Sequence, residues 1–334
     1  MIIGFDVGGS KISLFLSERN GRVLYREKVP TPLFKTPMDL IEKLVDMSRE
    51  AEERSESPVD IISVVFAGAV DGKSGIIKSS PNLFGGQEIP ISSILEDILG
   101  KTVYIENDAT AVAISEKIFG NGKIFSNFIY VTLSTGIGGG IFMNNRVYRG
   151  SNGMAGEFGH MRVVSDGKVC GCGRTGCFET VAGGRAIGEM LRTSGIGSSS
   201  RYLKKITDRP LEARDLFDGA SRGDAECLDM ARIFVDSMAS GIASLANIFD
   251  PEAIMLGGGM ANSPDIVFNG IREKVPGQMK TMVRNMEFFR TTPVTVELSP
   301  MAVVLYEEQI PGFNIERIVK EMREKISPKK KIEP

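Results

Sequence analysis

Residues 1–17, MIIGFDVGGSKISLFLS, contain two short β-rich runs that are separated by a glycine turn. β-Branched and aromatic residues dominate both runs, and Gly8 and Gly9 lie between them, so the stretch predicts a β-hairpin. Glycines at such a turn let backbone N–H groups approach phosphate oxygens. Asp6 stands beside the turn, where a carboxylate can hold Mg²⁺ through water.

A second glycine hairpin is predicted in the middle of the chain, in FIYVTLSTGIGGGIF, residues 128–142. Both hairpins are followed by similar segments, NGRVLY at 20–25 and NNRVY at 144–148. This similarity favours an internal duplication in which each half opens with a phosphate-type loop.

Strand and helix patterns alternate through the rest of the chain. Buried β-rich runs are predicted at 61–66, 103–106 and 253–256, and helices at 38–53, 109–119 and 225–249. Alternation of this kind predicts a layered α/β fold. A glycine loop, Gly257-Gly258-Gly259, follows the last of these strands.

Composition excludes several classes of protein. The 334 residues carry 40 Lys and Arg against 42 Asp and Glu, a net charge of −2, without the basic surplus that binding to a nucleic-acid backbone requires. The N-terminus lacks the features of a signal peptide, and no apolar run is long enough to span a bilayer. We therefore expect a cytoplasmic protein with neither nucleic acid nor membrane as partner.

Two common nucleotide motifs do not account for the sequence. GxxxxGK[ST] is absent, so a nucleotide would be bound without a P-loop. Gly171, Gly173 and Gly176 match G-x-G-x-x-G, but no strand precedes them and cysteines are interleaved, so the dinucleotide interpretation is rejected.

The cysteines indicate a metal site instead. Cys170, Cys172 and Cys177 lie within eight residues, and His160, the single histidine, lies ten residues upstream. A Cys₃His set at this spacing is typical of tetrahedral structural zinc. Free thiols and disulfides are the alternatives, and the spacing favours zinc.

The order of these motifs resembles the ROK family of sugar kinases and sugar-responsive repressors, from residue 1 to about 300. Its most specific part is GEFGH at 156–160 followed by CGCGRTGCFE at 170–179. The resemblance implies a two-domain actin-like ATPase fold, ribonuclease H-like, with an active-site cleft between the lobes. The small lobe would be 1–116 plus about 300–334, and the large lobe 117–299.

The resemblance also implies the site residues. Asp108 would be the catalytic base that accepts the proton of the attacking hydroxyl. The sugar would be held by Asn82, Asn107, Asp108, Glu157, His160 and Glu179. Magnesium would be supported by Asp6, and ATP would be bound by Asp6, Gly8, Gly9, Ser10, Lys11, Thr132, Thr135, Gly136, Gly138, Gly257, Gly258 and Gly259.

Departures from the family pattern leave the sugar open. Ser10 replaces a usual Thr, and Gly86 stands where glucokinase-like members often carry Trp. We expect phosphorylation of a hexose, glucose at its 6-hydroxyl being the first candidate. N-Acetylmannosamine, N-acetylglucosamine, fructose, mannose and allose remain open. The resemblance further implies a homo-oligomer, a dimer or a tetramer.

A sugar-binding regulator without useful catalysis is the main alternative function. Repressors of this family carry a DNA-binding domain before the first phosphate loop, whereas here that loop begins at Asp6. The presence of Asp108 also favours catalysis. Filament-forming and chaperone members of the wider fold do not require the segment from Glu157 to Glu179, so the presence of this segment disfavours those two functions.

Overall fold

The computed structural model describes residues 1–19, 22–31, 34, 36–80, 86–262, 264–279 and 286–309. The chain forms two compact units. The first unit contains Met1–Gly120, Arg149–Met154 and the residues described from Thr292 on; the second contains Asn121–Tyr148 and Ala155–Thr291. The described residues include no helix whose length and apolar character would allow it to cross a membrane.

The strands, in chain order, are β1 (Ile2–Val7), β2 (Lys11–Ser17), β3 (Val23–Pro30), β4 (Ile61–Phe66), β5 (Ala69–Asp71), β6 (Ile76–Ser79), β7 (Thr102–Asn107), β8 (Phe128–Leu133), β9 (Ile137–Met143), β10 (Arg146–Val147), β11 (Ala253–Gly257) and β12 (Glu287–Arg290).

The α-helices are α1 (Pro37–Glu53), α2 (Ile91–Leu99), α3 (Asp108–Ile118), α4 (Phe178–Ala182), α5 (Gly184–Thr193), α6 (Ile196–Ser199), α7 (Ala213–Ser221), α8 (Ala225–Phe249), α9 (Gly258–Ala261), α10 (Ile266–Gln278), α11 (Pro293–Glu297) and α12 (Ser299–Glu307). A short 3₁₀ helix, Phe158–His160, precedes the cysteines.

The sheet of the first unit has the order β3-β2-β1-β4-β7. Its first three strands are antiparallel neighbours, and β4 and β7 run parallel to β1. The carboxyl ends of β1, β4 and β7 therefore meet at one edge, where Val7, Phe66 and Asn107 share a row. This edge carries the predicted residues Asp6 and Asp108.

The sheet of the second unit repeats this arrangement, with the order β10-β9-β8-β11-β12. Again the first three strands are antiparallel neighbours, and β11 and β12 run parallel to β8. Both sheets thus have the same topology, as the repeated sequence pattern predicts.

Each unit has its own hydrophobic core, because each sheet buries at least one face against helices. In the first unit, α1 and α2 cover one face with residues such as Leu44 and Leu95. In the second unit, α8 supplies buried side chains at steps of three and four residues, including Met238, Ile242 and Leu245.

Helix boundaries follow local capping signals. Thr36 and Asp39 form a capping box at the start of α1, with Pro37 in the first turn. Asp224 caps α8, which ends at Asp250 in the left-handed conformation. One prediction is wrong in detail: the loop expected at 257–259 is the last residue of β11 followed by the first turn of α9.

Candidate functional site

The turn of the first hairpin is fixed by backbone and hydroxyl hydrogen bonds. The N–H of Gly8 donates to the carbonyl of Lys11 at 3.0 Å, and the Thr31 hydroxyl donates to the carbonyl of Gly8 at 2.6 Å. The N–H of Thr31 also donates to the carbonyl of Ser10 at 3.0 Å. The turn between β1 and β2 therefore has a defined shape.

Asp6 lies on β1, one residue before its end. Burial raises the pKa of this carboxyl above its usual range, while the positive charges of Lys11 and Lys28 lower it. A carboxylate with little water around it is stabilised by nearby cations. One such group suits a magnesium ion that keeps several of its own water ligands.

Asn107 and Asp108 form the junction between β7 and α3. The Asn107 side chain caps the helix by accepting the N–H of Thr110 at 3.0 Å, and its amide donates to the Gly68 carbonyl at 2.9 Å. The same amide donates to Asp108 Oδ1 at 3.1 Å. Asp108 Oδ1 also accepts the N–H of Ala109 at 2.8 Å, so the carboxylate is oriented by its neighbours.

Three of the predicted nucleotide residues form a row across the second sheet. Thr132 on β8 is paired with Gly138 on β9 and with Gly257 on β11. Their order along the chain gives no sign of this, because Gly257 is far from the other two in sequence. The sheet therefore assembles both glycine segments beside Thr132.

The turn after β8 is held by the start of α5. The N–H groups of Gly184 and Arg185 donate to the carbonyls of Ser134 and Thr135 at 2.8 and 2.9 Å. Within the turn, the N–H of Ser134 donates to the carbonyl of Gly136 at 3.0 Å. Helix N-terminal donors thus fix the segment that contains Thr135.

The glycines at the end of β11 are required by packing. Gly258 has a φ of +85°, and a Cβ there would lie 2.3 Å from the carbonyl oxygen of Leu133. A Cβ at Gly257 would lie 2.5 Å from the hydroxyl of Tyr130. Both positions are closed to larger residues, whether or not a nucleotide is bound.

The segment GEFGH lies directly on β9. A Cβ on Gly156, whose φ is +100°, would be 2.2 Å from the Gly139 carbonyl oxygen, and one on Gly159 would be 2.1 Å from that of Ile137. The two glycines allow this close approach of backbone to backbone. Glu157 and His160 are thereby placed beside the second hairpin.

Three of the predicted sugar residues meet in the second unit. His160 Nε2 lies 3.7 Å from Glu157 Oε2, and His160 Nδ1 lies 3.7 Å from Glu179 Oε1. Burial and the negative charge of Glu179 raise the pKa of Glu157, whereas His160 lowers it. Acceptors and a ring nitrogen in this arrangement can bind adjacent hydroxyl groups.

Glu179 links the sugar set to the second hairpin. A Cβ on Gly136 would lie 2.8 Å from Glu179 Oε2, so the carboxylate is in close contact with the turn. The other carboxylate oxygen, Oε1, accepts a hydrogen bond from Cys170 Sγ at 2.9 Å. Glu179 therefore touches the predicted phosphate loop and the predicted metal ligands together.

The four predicted zinc ligands converge. The ligand atoms of His160, Cys170, Cys172 and Cys177 all lie within 4.8 Å of one another. Cys170 Sγ is 3.4 Å from His160 Nδ1, and Cys172 Sγ is 3.6 Å from Cys177 Sγ. Zinc with Zn–S bonds of about 2.3 Å would place its sulfurs about 3.8 Å apart, so the set fits a tetrahedral ion.

Turn geometry favours a thiolate in this cluster. The N–H of Arg174 lowers the pKa of Cys172 to about 6, while burial raises the pKa of Cys177. Gly173 and Gly176 adopt φ values of +85° and +75°, which the short loop needs in order to fold back on itself. The Glu179 carboxylate accepts a hydrogen bond from Cys170, and a hydrogen-bond partner of this kind orients a metal ligand without binding the metal.

Not every predicted residue is placed. Asn82 lies outside the described residues. The other site residues fall into two sets, one with Asp6 and Asp108 in the first unit and one with Thr132, Glu157 and Glu179 in the second. No role was predicted for Glu106, although this acidic residue directly precedes Asn107 and is buried.

The sequence model of the ROK family matches residues 2–297. A glucokinase from Thermotoga maritima is 33% identical over 276 residues, which cover 82% of this chain and 86% of the relative. A xylose repressor from Bacillus spizizenii is 30% identical over 286 residues, covering 85% of this chain and 70% of the repressor.

The chain is also similar to solved structures. A ROK family glucokinase from Streptomyces griseus, in complex with glucose and AMPPNP, superposes with a TM-score of 0.76 at 31% identity. The similarity covers 92% of this chain and 99% of that one.

Proposed function

The chain belongs to the ROK family, and on that premise we propose that it is a glucokinase, which transfers the γ-phosphoryl group of ATP to the 6-hydroxyl of glucose. The predicted fold class, the two-domain actin-like ATPase fold, is confirmed by the structural similarity. The observation that carries the proposal is Asp108, a carboxylate oriented at a strand-to-helix junction in a chain similar to an enzyme that binds glucose and AMPPNP.

The proposed reaction is direct transfer. The Asp108 carboxylate takes the proton of the attacking hydroxyl while that oxygen forms a bond to the γ-phosphorus and ADP leaves. The carboxylates of Glu157 and Glu179 accept hydrogen bonds from ring hydroxyls, and the imidazole of His160 donates one to a ring hydroxyl. The backbone of the two glycine turns, with Ser10 and Thr135, binds the ATP phosphates, and the glycines at 257–259 face the adenosine.

Two metal ions accompany this assignment. Asp6 would support Mg²⁺ through water, and the ion would offset charge on the phosphates. His160, Cys170, Cys172 and Cys177 would hold one structural zinc. Zinc would keep the loop of Glu157 and Glu179 in shape, so its contribution to the reaction is to order the sugar-binding groups.

A panel of hexoses tests the proposal. ADP release and sugar phosphate formation are measured with ATP and each of glucose, mannose, fructose, allose, N-acetylglucosamine and N-acetylmannosamine. The highest kcat/KM is expected with glucose. A higher kcat/KM for another sugar would support a kinase activity but identify that sugar, and not glucose, as the substrate.

Asp108→Asn tests the base. The amide keeps the shape but cannot take the proton, so kcat should fall by about 10²- to 10⁴-fold while glucose affinity, measured by calorimetry, stays within about tenfold. Asp97→Asn, on the exposed face of α2, is the matched control and should retain activity. Retained turnover in Asp108→Asn would show that Asp108 is not the catalytic base.

Sugar sensing is the second candidate function, because the relatives include a repressor. It predicts glucose or xylose binding without sugar phosphate formation. The hexose panel, run with xylose added and with calorimetry beside the activity assay, separates the two functions.

A further inference from the structure

Glu106 is a buried carboxylate next to the proposed base. Its side chain is 2% exposed, yet it lies at the end of β7, one residue before Asn107. In the sheet it shares a row with Asp6, two strands away. A charge that is so deeply buried requires a partner, because loss of hydration is costly.

Arg149 is that partner. Arg149 Nε donates to Glu106 Oε2 at 2.7 Å, and its terminal Nη2 donates to Glu307 at the end of α12. Burial raises the pKa of Glu106, and the positive charge of Arg149 acts against this shift. A Cβ on Gly72 would lie 3.3 Å from Glu106 Oε2, so Gly72 packs closely over the ion pair.

The other oxygen of Glu106 leads to Asp108. Glu106 Oε1 accepts the backbone N–H of Asn107 at 2.9 Å. The side-chain amide of Asn107 then donates to Asp108 Oδ1 at 3.1 Å. Through its hydrogen bond to Glu307, Arg149 also contacts α12. Helix α12 packs against α3, the helix that begins at Asp108.

We propose that Arg149 and Glu106 are positioning residues for Asp108: Arg149 compensates the charge of the buried Glu106 carboxylate, and Glu106 Oε1 accepts the Asn107 N–H and so fixes the backbone that orients Asp108. The inference rests on the proposed function. Misplacement of a reacting group by about 1 Å can cost about 10²-fold in rate, so this arrangement should appear in kcat.

Three variants separate positioning from simple stabilisation. Arg149→Met leaves Glu106 buried without its cation. The double variant Glu106→Gln with Arg149→Met removes both charges but keeps an acceptor for the Asn107 N–H. The double variant Glu106→Leu with Arg149→Met removes both charges and the acceptor. Neither double variant buries an unpaired charge at this position, so both should fold even if Arg149→Met does not.

The control pair lies in the second unit. Arg209 forms a two-pronged ion pair with Asp215, at 2.6 and 2.8 Å, and Asp215 is 3% exposed. No role in the reaction is assigned to either residue. Arg209→Met should lower the Tm and leave kcat within about twofold, since it disturbs burial without touching the site.

Kinetics with glucose and ATP give the first result. We expect Arg149→Met to lower kcat by about 10- to 100-fold with both KM values within about threefold. The Gln double variant should recover kcat to within about fivefold of the wild type, and the Leu double variant should regain Tm but not kcat. Equal kcat in the two double variants would overturn the proposal.

Hydrogen exchange gives a result that does not require activity. The amides of residues 105–110 should lose protection in the Leu double variant and keep it in the Gln double variant. If the wild type phosphorylates no sugar, the proposed function fails, and the exchange pattern still decides whether Glu106 holds this junction. Equal protection in both double variants would contradict the inference independently.

Discussion

The two glycine hairpins occupy equivalent places in sheets of the same strand order, yet different groups surround them. Asp6 on β1 and Thr132 on β8 are both the next-to-last residues of their strands. The first position is a partly buried carboxylate near two lysines, and the second is a hydroxyl beside glycines of two neighbouring strands. The repeated topology thus carries an ionic group in one unit and a closely packed backbone in the other.

The two hairpins also differ in how closely their glycines are packed. A Cβ on Gly8 would meet nothing closer than the Lys11 carbonyl oxygen at 3.5 Å, an ordinary contact. A Cβ on Gly139 would lie 2.3 Å from the Phe158 ring and 2.5 Å from the Tyr130 carbonyl oxygen. Gly8 therefore has room for a ligand beside it, whereas the absence of a side chain at Gly139 is required by packing.

Among the changes that test this comparison, removal of the Asp6 carboxylate should have the largest effect. Asp6→Asn should lower kcat by about 10²-fold, because the variant cannot offset the charge of a magnesium ion. The variant at the equivalent position, Thr132→Val, should lower kcat by less than about tenfold, since it loses one hydroxyl. Steady-state kinetics at saturating magnesium check both; similar losses in the two would show that the hairpins act alike.

Zinc removal should weaken glucose binding more than ATP binding. After chelation, glucose should bind at least about tenfold more weakly, because the loop of Glu157 and Glu179 would lose the zinc ion proposed to order it. ATP affinity should change less, since α5 still holds Thr135. Metal analysis should find one zinc per chain, and calorimetry compares the two ligands.

Two other results would have different meanings. Simultaneous loss of glucose and ATP binding after chelation would indicate general unfolding. Normal glucose affinity with zinc well below one per chain would assign the cysteines another purpose.

Alanine at the two glycines should separate packing from ligand approach. Gly139→Ala should lower the free energy of unfolding by about 1–3 kcal/mol, because backbone and ring atoms must move. Gly8→Ala should change it by less than about 0.5 kcal/mol but weaken ATP binding, since its methyl group stands where a phosphate would approach. Urea unfolding and ATP titration measure the two effects; a large stability loss at Gly8 would contradict the comparison.

The smallest expected effect is a pH dependence specific to the first hairpin. Burial raises the pKa of Asp6 in the folded protein, so folding favours the protonated carboxyl. The stability that this preference contributes is fully present below the unfolded pKa and is lost as pH rises through the folded-state pKa. Asp6→Asn should therefore gain stability relative to the wild type as pH rises above about 4, the ordinary pKa of an aspartate. The stability difference between Thr132→Val and the wild type should not change with pH, because threonine does not titrate.

Local patterns in the sequence determine much of this protein. The predicted bounds of β4 and α8 agree with the structure. The four converging metal ligands were also predictable, since three of them lie in one short glycine-rich loop. Alternation, helical periodicity, capping and turn residues all act over a few positions, so their physical causes are visible in a linear sequence.

The contacts among the site residues were decided by the tertiary structure. Glu179 touches Gly136, Gly257 lies beside Thr132, and Arg149 reaches Glu106, although each pair is separated by more than forty residues. Sheet register and packing create these contacts, and no local pattern encodes them. The sequence alone therefore names most of the groups that can do chemistry, while folding decides which carboxylate is buried, which cation compensates it and which glycine is left open to a ligand.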